Sequence, residues 1–326
     1  MINYRSFIQR YFSIKNKRGE VVPFHFNRAQ NIYYEHLMGK YPKLVGIREN
    51  ILKARQMGFS SLIDAFLTTD FIFSAMGKAP IISSQIISHK AEEVKPLFNR
   101  VNIFLDSYLK RAGITRKELL QSDNHTSYLQ AKKGAELFVG TAGAKTLGRG
   151  GTLQNIHWSE CAFYPNTPIL NSEDLMIGAE QQVADNVGMI FRESTGNMSG
   201  DFFNLEYERG VENLGNFGSF FLPWHEFDDY QRRMPRGYDL KECATLKAIG
   251  YDAEVIMKQY NINENQLYWW IKKLETANDV KKTLREYPLS DKDAFLAGGD
   301  LFFSDASLRS YLIGVQKPIE LEFSYV

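Results

Sequence analysis

Cysteine and net charge are both scarce in this chain. Its 326 residues include two cysteines, Cys161 and Cys243, and carry a formal net charge of +1 at pH 7. Two cysteines are too few for a disulfide framework, which favours a reducing compartment. The near-neutral balance excludes a surface coated with basic residues, although a few local charges are enough to hold a nucleic acid.

Long apolar runs, leader segments and repeats are also absent from the sequence. No run reaches about 18 apolar residues, the length that a membrane-spanning helix needs. The polar and aromatic start of the chain, MINYRSFIQRYF, lacks the pattern of a signal peptide. We therefore expect a soluble, intracellular protein.

The chain has enough apolar residues for a large core, since 44% are hydrophobic and 13% aromatic. Between Leu44 and about Leu222, short apolar runs alternate with helical stretches, which predicts crossover units and a largely parallel sheet. The candidate strands are Asn50–Ala54, Pro80–Ser84, Glu136–Val139, Asn155–Trp158, Gly188–Arg192 and Gly218–Leu222. The candidate helices are Ser60–Met76 and His89–Leu109.

After Pro223 the sequence becomes charged and helical. Asn263 and Gln266 fit a capping box. An apolar stripe follows at helical spacing, formed by Leu267, Trp270, Ile271 and Leu274. We predict a core domain over residues 1–222, a small helical subdomain over 223–299, and over 300–326 the start of a connection to a further domain.

The most informative segment is ILKARQMGFSSL, residues 51–62. An apolar strand runs into a turn that contains Gly58, and a pair of serines then opens a helix. Such a turn directs backbone N–H groups and a helix N-terminus at one point, which suits a polyphosphate. An ordinary strand, turn and helix is the alternative interpretation.

This segment departs twice from the usual phosphate-loop pattern G-x-x-x-x-G-K-[ST]. Lys53 stands at the position of the first glycine, and Phe59 stands at the position of the lysine. Ser60 keeps the position that binds Mg²⁺. Positive charge has therefore moved to the front of the loop, where Lys53 and Arg55 are both candidates to contact phosphate.

A second segment, TLQNIHWSECAFYP, combines a short apolar strand with a carboxylate at its end, Glu160. At the carboxyl edge of a parallel sheet this carboxylate would face the phosphate loop. There it is suited to orient a water for attack on a γ-phosphate. Ser159 occupies the position where many such ATPases have a metal-binding Asp, and its hydroxyl is at best a weak Mg²⁺ ligand. A surface glutamate at a strand end is the alternative.

Together these segments resemble those of tailed-phage large terminases, the ATPases that pump DNA into empty capsids. KARQMGFSS is similar to the family's deviant phosphate loop, in which the lysine is shifted to the start. GRGGTLQNIHWSECAF is similar to its second nucleotide motif, including an Arg-Gly upstream of the acidic pair. The departures from the family pattern are Ser159 and Phe59.

Three further segments follow in the family's order, so that the resemblance covers about residues 20–305. FNRAQNIYYEHL resembles the element whose glutamine, here Gln30, contacts adenine. IFRESTGNMSG resembles the coupling motif, with Ser194, Thr195 and Asn197. TLREYPLSDKDAFLAGGDLFF resembles the end of the family's ATPase region.

The resemblance implies an α/β fold of the P-loop NTPase type, with a mostly parallel sheet, helices on both faces and a small helical lid. It implies that the chain hydrolyses ATP with Mg²⁺. The expected nucleotide-binding residues are Gln30, Lys53, Ala54, Arg55, Gln56, Met57, Gly58, Phe59, Ser60 and Ser61. The expected metal-binding residues are Ser60, Ser159 and Glu160, and the expected catalytic residues are Glu160 and Arg149.

Arg149 lies in a glycine-flanked loop, Gly148–Gly151, just before the Glu160 strand. It resembles the family's arginine finger, which reaches the γ-phosphate of a neighbouring subunit and accelerates hydrolysis about a thousandfold or more. An arginine that is solvated or bound to DNA is the alternative.

The partners implied are double-stranded DNA, the phage portal protein, the small terminase subunit and further copies of the chain in a ring on the capsid. The site of action is then the host cytoplasm during virion assembly, with no membrane involved. Large terminases also carry a nuclease domain after the ATPase. The chain stops at Val326, where that domain would start, so we expect no nuclease activity from this chain alone.

Other candidates carry less weight. Two basic clusters, Lys110–Lys117 and Arg232–Arg236, are candidates to touch DNA, but such clusters are more often solvated. Trp270 lies on an apolar stripe and is expected in the core. A zinc pair of His157 and Glu160 is rejected because a spacing of three puts two strand residues on opposite faces.

Two alternative functions stay open at this point. One is another DNA-dependent P-loop ATPase, such as a helicase or a recombination motor. The other is a nucleotide-binding structural module that does not hydrolyse ATP, which the residues at positions 59 and 159 would fit.

Overall fold

A computed structural model describes residues 2–122, 125–142, 152–166, 171–277 and 279–296 of the chain. The strands are β1 (Ser13–Lys15), β2 (Val21–Pro23), β3 (Arg48–Lys53), β4 (Ser83–Ser88), β5 (Leu120–Ser122), β6 (Tyr128–Ala131), β7 (Glu136–Thr141), β8 (Asn155–Ser159), β9 (Met189–Ser194) and β10 (Gly218–Leu222). The helices are α1 (Tyr4–Tyr11), α2 (Arg28–Lys40), α3 (Phe59–Ala75), α4 (Ala91–Ala112), α5 (Arg116–Leu119), α6 (Ser172–Glu180), α7 (Phe202–Val211), α8 (Ala244–Ala248), α9 (Ala253–Tyr260), α10 (Glu264–Glu275), α11 (Val280–Glu286) and α12 (Asp291–Leu296).

Eight of these strands form one sheet in the order β10-β3-β9-β8-β4-β7-β6-β5. Neighbours from β10 to β7 pair in parallel, and β6 and β5 add an antiparallel edge. β1 and β2 form a separate antiparallel pair. The predicted class, an α/β fold with a mostly parallel sheet, is confirmed.

Successive residues of each central strand feed two apolar layers, one on each face of the sheet. Ile51 packs into the layer that holds α1 to α4, whereas its neighbour Leu52 packs into the layer with α6 and α7. Ile86 and Ile87 divide in the same way. Because side chains alternate along a strand, a strand buried on both faces needs apolar residues in continuous runs. Helices therefore cover both faces, as predicted.

The predicted strand at Pro80–Ser84 is misplaced, since β4 is Ser83–Ser88 and only residues 83–84 are common to both. Ile81 is 64% exposed, whereas Ile86 and Ile87 are fully buried in the sheet. The strand Gly218–Leu222 was predicted at its observed bounds. The other predicted strands and helices begin and end within a few residues of the observed ones.

The region after Pro223 is helical among its described residues. The capping box of Asn263 and Gln266 is present at the start of α10. Trp270 is fully buried, as the apolar stripe predicted, and its ring stacks 6.0 Å from that of Trp224. The division into domains at residue 223 stays a prediction, and the segment 300–326 lies outside the described residues. Along the described ranges, no helix combines the length and apolarity that crossing a bilayer requires.

Candidate active site

Three neighbouring parallel strands, β3, β9 and β8, end at the same edge of the sheet. Lys53, Glu193 and Ser159 are the last or next-to-last residues of these strands. Helix α3 begins at this edge and packs against β8 and β9. Carboxyl ends of parallel strands beside a helix N-terminus are the usual place for ligands in α/β sheets, so we take this edge as the candidate active site.

The turn between β3 and α3 depends on Gly58. This residue has φ +86°, and a Cβ atom there would lie 2.8 Å from the side-chain nitrogen of Gln30. The first helical hydrogen bond of α3 runs from Leu62 N to Gly58 O at 3.1 Å. The N–H groups of residues 59–61 precede that bond, and such groups at a helix start have no carbonyl partner within the helix. They are suited to bind an anion.

Asn27 and Gln30, at the start of α2, brace this turn from outside. Gln30 Nε2 donates to Gly58 O at 2.7 Å, and Asn27 Nδ2 donates to Met57 O at 3.1 Å. Gln30 Oε1 also accepts from Asn27 N at 3.0 Å, as part of a capping box. The expected contact between Gln30 and adenine stays a prediction, because the structure engages both polar atoms of this amide within the protein.

Lys53 is the cation at the centre of the site. Its Nζ lies 2.6 Å from Glu160 Oε1 and 3.3 Å from Glu193 Oε1, and its side chain is 4% exposed. Burial alone would lower the pKa of Lys53, but the two carboxylates raise it above its ordinary value. Lys53 is therefore held charged at the strand end.

The other two unusual loop positions point away from this centre. The guanidinium of Arg55 is half exposed and pairs with Glu286 of α11. Phe59 is 1% exposed, and its ring packs 5.1 Å from that of Tyr33. The lysine position of the usual motif therefore contributes a side chain to the core.

The remaining loop residues shape the backbone. Ala54 N donates to Leu222 O at 3.2 Å, which continues the pairing of β3 with β10. Gln56 has a positive φ of 58°, and Met57 is 1% exposed. Ser61 follows Ser60 in the first turn of α3.

Glu160 lies just beyond the end of β8 and has a positive φ of 54°. Its Oε2 accepts from the backbone N–H of Thr195 at 3.2 Å and from Ser194 Oγ at 3.4 Å. The expectation that Glu160 and His157 point to opposite faces is wrong, because strand alternation stops at Ser159 and the left-handed backbone turns Glu160 toward Lys53. Across the described ranges, no group of three or more His, Cys, Asp or Glu residues is arranged to hold a metal ion.

Glu193 is a site residue that the motifs did not reveal. It is fully buried, and both of its carboxylate oxygens lie 3.0 Å from Ser60 Oγ. Burial would raise the pKa of Glu193, but Lys53, His157 and Ser60 together lower it to about 2. No local pattern marked Glu193, because Arg192 separates it from the apolar run Met189–Phe191.

His157 joins this cluster to α3. Its Nδ1 lies 2.8 Å from Asp64 Oδ1 and its Nε2 lies 3.3 Å from Glu193 Oε2, all three side chains being fully buried. Arg100 Nη1 completes the series at 2.7 Å from Asp64 Oδ2. Burial alone would lower the pKa of His157, but its two carboxylate partners raise it to about 9. The ring is therefore protonated at neutral pH and donates from both nitrogens.

The expected coupling residues lie between the carboxylate and the helices after Pro223. Ser194 and Thr195 contact Glu160, as described above, and Asn197 Nδ2 donates to Ala162 O at 2.9 Å. Arg285 of α11 donates to Asn197 O at 2.9 Å. Its neighbour Glu286 holds Arg55, and Arg55 N donates to Glu286 O at 2.9 Å.

Among the expected metal-binding residues, Ser60 and Ser159 both approach Glu193. Ser159 Oγ is buried and lies 3.5 Å from Glu193 Oε2. Arg149, the second expected catalytic residue, lies outside the described residues. The structure thus brings together Lys53, Ser60, Ser159 and Glu160, and their assignment to nucleotide and metal stays a prediction.

Comparisons with known proteins agree with this architecture. No family model and no curated protein matches the sequence. The crystal structure of the HK97 bacteriophage large terminase is similar at a TM-score of 0.56 and 14% identity, over 90% of this chain and 55% of that one. The Thermus phage P74-26 large terminase ATPase domain matches at a TM-score of 0.44 and 13% identity, over 85% of this chain and 98% of that one.

The large terminase of a thermophilic bacteriophage in complex with ADP matches at a TM-score of 0.35 and 14% identity, over 54% of this chain and 40% of that one. At such identities the likeness concerns the fold. The HK97 match confirms that the resemblance read from the motifs extends to the fold. The chain spans about half the length of the HK97 protein (55%).

The protonated His157 predicts a pH dependence of stability. Its pKa of about 9 exceeds the ordinary value of 6.5, so its stabilisation is fully present below pH 6.5 and is lost as the pH rises through 9. We expect the free energy of unfolding, measured with urea, to fall over this interval by on the order of 3 kcal/mol. In His157→Gln this part of the fall should be absent. Independently, one histidine Cε1–H resonance should titrate near pH 9, and titration of every histidine below pH 7.5 would contradict the assignment.

Proposed function

We propose that this chain is the ATP-hydrolysing motor portion of a phage large terminase, which uses ATP to move double-stranded DNA into a procapsid. The observation that carries the proposal is the meeting of Lys53, Ser60 and Glu160 at one edge of a parallel sheet, behind a glycine turn. A buried lysine, a helix N-terminus and a carboxylate are the parts that phosphoryl transfer to water requires.

The turn of residues 53–61 is suited to cradle the phosphates. Its helical N–H groups and the Lys53 ammonium would share the charge of the β- and γ-phosphates. Mg²⁺, when bound, neutralises further phosphate charge, and the Ser60 hydroxyl would be one of its oxygen ligands. Gln30 would contact adenine, which requires its amide to leave Gly58 or to share that bond.

Glu160 is the residue suited to orient the attacking water. In this structure its Oε1 is engaged by Lys53 at 2.6 Å. We infer that a γ-phosphate draws Lys53 away, which frees Glu160 to accept a hydrogen bond from water. Its side chain is 25% exposed, so water reaches it. The ion pair thus keeps the carboxylate occupied until nucleotide enters.

The contacts of Glu160 with residues 194–195 and of Asn197 with α11 support a coupling role for this segment. Loss of the γ-phosphate would return Lys53 to Glu160 and alter the position of the Thr195 backbone. Asn197 and Arg285 would pass this change to α11. Movement of DNA would follow from such a displacement in each subunit of a ring.

The partners belong to the proposal as well. We expect double-stranded DNA, the portal protein and the small terminase subunit to bind in the host cytoplasm. Another DNA-dependent ATPase would share the same site. One observation favours a non-hydrolysing nucleotide-binding module. The carboxylate of Glu160 is paired with Lys53, and the residue before Glu160 is Ser159, which supplies no second carboxylate.

The first test of the proposal is Glu160→Gln. The amide keeps the shape of the side chain and still accepts from Lys53, but it polarises water weakly. We expect ATP turnover to fall about a hundredfold or more, while binding of a fluorescent ATP analogue stays within about threefold. Glu206→Gln, which alters a carboxylate paired with Arg192 away from the site, is the control. Turnover near the parental rate in Glu160→Gln would exclude Glu160 as the catalytic carboxylate.

Lys53→Ala tests which cation binds phosphate. A charge-assisted contact contributes about 1.5–3 kcal/mol, so we expect ATP binding to weaken about ten- to a hundredfold. The matched control is Lys40→Ala, because Lys40 pairs with buried Glu49 at the opposite end of the same strand. Arg55→Ala should weaken binding less than Lys53→Ala does. The reverse order of these two defects would assign the phosphate contact to Arg55.

Arg149 is proposed to act on the ATP of a neighbouring subunit. A mixture of two inactive variants, Arg149→Ala and Glu160→Gln, then contains interfaces that pair an intact Arg149 with an intact Glu160. We expect ATPase activity to return in part, and specific activity of the parental chain to rise with its concentration. Absence of rescue in a mixture shown by light scattering to co-assemble would favour an arginine that serves its own subunit or DNA.

A further inference from the structure

Position 159 has a serine, yet a carboxylate stands directly beside it in the sheet. Ser159 is the register partner of Glu193 across the parallel pair of β8 and β9. Phe191, two residues before Glu193, packs into the apolar layer on the α3 face of the sheet. Since side chains alternate along a strand, Glu193 points to the same face, toward Ser60.

The contacts of Glu193 converge on the hydroxyl that is suited to bind metal. Both carboxylate oxygens lie 3.0 Å from Ser60 Oγ, and Ser159 Oγ lies 3.5 Å from Oε2. Lys53 Nζ and His157 Nε2 approach the two oxygens from other sides, each at 3.3 Å. The carboxylate is thus fixed on several sides and presents an oxygen at the hydroxyl of Ser60.

Burying the charge of Glu193 costs free energy unless partners of opposite charge compensate it. Glu193 is 0% exposed, and an ionised carboxylate without partners in such a place would neutralise itself. Lys53 and His157 compensate it here, and Asp64 and Arg100 in turn complete the series behind His157. Four side chains, those of Lys53, His157, Asp64 and Arg100, therefore hold one carboxylate ionised beside Ser60.

We propose that Glu193 is the positioning carboxylate of the metal site, in place of the carboxylate that Ser159 lacks. It would orient the Ser60 hydroxyl and accept hydrogen bonds from the water shell of Mg²⁺, an ion that keeps several waters and uses one or two carboxylates together with phosphate oxygens. The donor set fits that ion, since the Ser60 hydroxyl and the Glu193 carboxylate both offer oxygen.

This division assigns different work to the two carboxylates of the site. Glu193 is fully buried and would act on the metal through Ser60 and water, whereas Glu160 is 25% exposed at the sheet edge and would act on the attacking water. The inference rests on the proposed function, since it names a residue for that reaction.

The test is the Mg²⁺ dependence of binding of the fluorescent analogue mant-ATP, which needs no turnover. Loss of a residue that supports a metal ligand typically lowers metal affinity 10- to 100-fold. In Glu193→Gln we expect the Mg²⁺ concentration for half-maximal enhancement to rise about tenfold or more. Binding of mant-ATP in EDTA should change by less than about threefold. Glu180→Gln, which alters a carboxylate that is 9% exposed and paired with Arg192, should leave both values unchanged.

A second variant separates positioning from mere packing. Ser159→Asp combined with Glu193→Gln returns a carboxylate to the neighbouring strand, and we expect it to recover most of the Mg²⁺ dependence. If circular dichroism shows that Glu193→Gln alone unfolds, the double variant and Glu193→Asp are used in its place. Both keep the net charge of the cluster. Absence of recovery in a folded double variant would count against the inference.

Two outcomes distinguish failure of this inference from failure of the proposed function. If the parental chain binds mant-ATP with a clear Mg²⁺ dependence that Glu193→Gln leaves unchanged, the inference is overturned while the proposed function stands. If the parental chain neither binds mant-ATP nor hydrolyses ATP, the proposed function fails, and the inference fails with it.

Discussion

A series of paired charged side chains, alternating in sign, runs through the interior from a helix to the edge of the sheet. The candidate site depends on the compensation of each charge by its neighbours in this series. The members of this series are Arg100, Asp64, His157, Glu193, Lys53 and Glu160, three cations and three carboxylates. Removing one partner of a buried ion pair typically destabilises a protein by about 3–5 kcal/mol, because the other charge is left uncompensated. The series therefore constrains the position of each member. Its two ends, Arg100 and Glu160, are in contact with solvent, with side chains 27% and 25% exposed, whereas the four members between them are buried.

The sheet is what makes this balance possible. β3, β9 and β8 are neighbours although they are separated along the chain, and parallel pairing brings their carboxyl ends to one edge. Side-chain alternation turns Lys53, His157 and Glu193 toward α3, and α3 contributes Ser60 and Asp64 from its first two turns. Leu52, Ile156 and Trp158, at neighbouring strand positions, pack into the opposite layer. The same alternation thus provides both the core and the polar site.

Much of this could be predicted from local pattern, and the exceptions have physical reasons. Continuous apolar runs identified the central strands, and a glycine with serines after it identified the turn before α3. Glu193 escaped because its importance depends on a strand partner 34 positions earlier, Ser159, which no local pattern encodes. The orientation of Glu160 relative to His157 was mispredicted because alternation ends where φ becomes positive. β4 was misplaced because Ile81 is a residue type favoured in strands, but it has no apolar layer to pack against and is 64% exposed.

Helix α11 has two consecutive residues that contact different parts of the site. Arg285 holds the backbone of Asn197, and Glu286 holds Arg55 at the front of the turn. Opposite charges on adjacent residues thus tie one helical turn to both the segment that contacts Glu160 and the segment that would contact phosphate. In a motor of the proposed kind, these contacts would determine the length of DNA moved per ATP rather than the rate of ATP hydrolysis. Loss of either contact would leave the reacting groups in place, so that ATP would be hydrolysed at the same rate while each hydrolysis event moved less DNA.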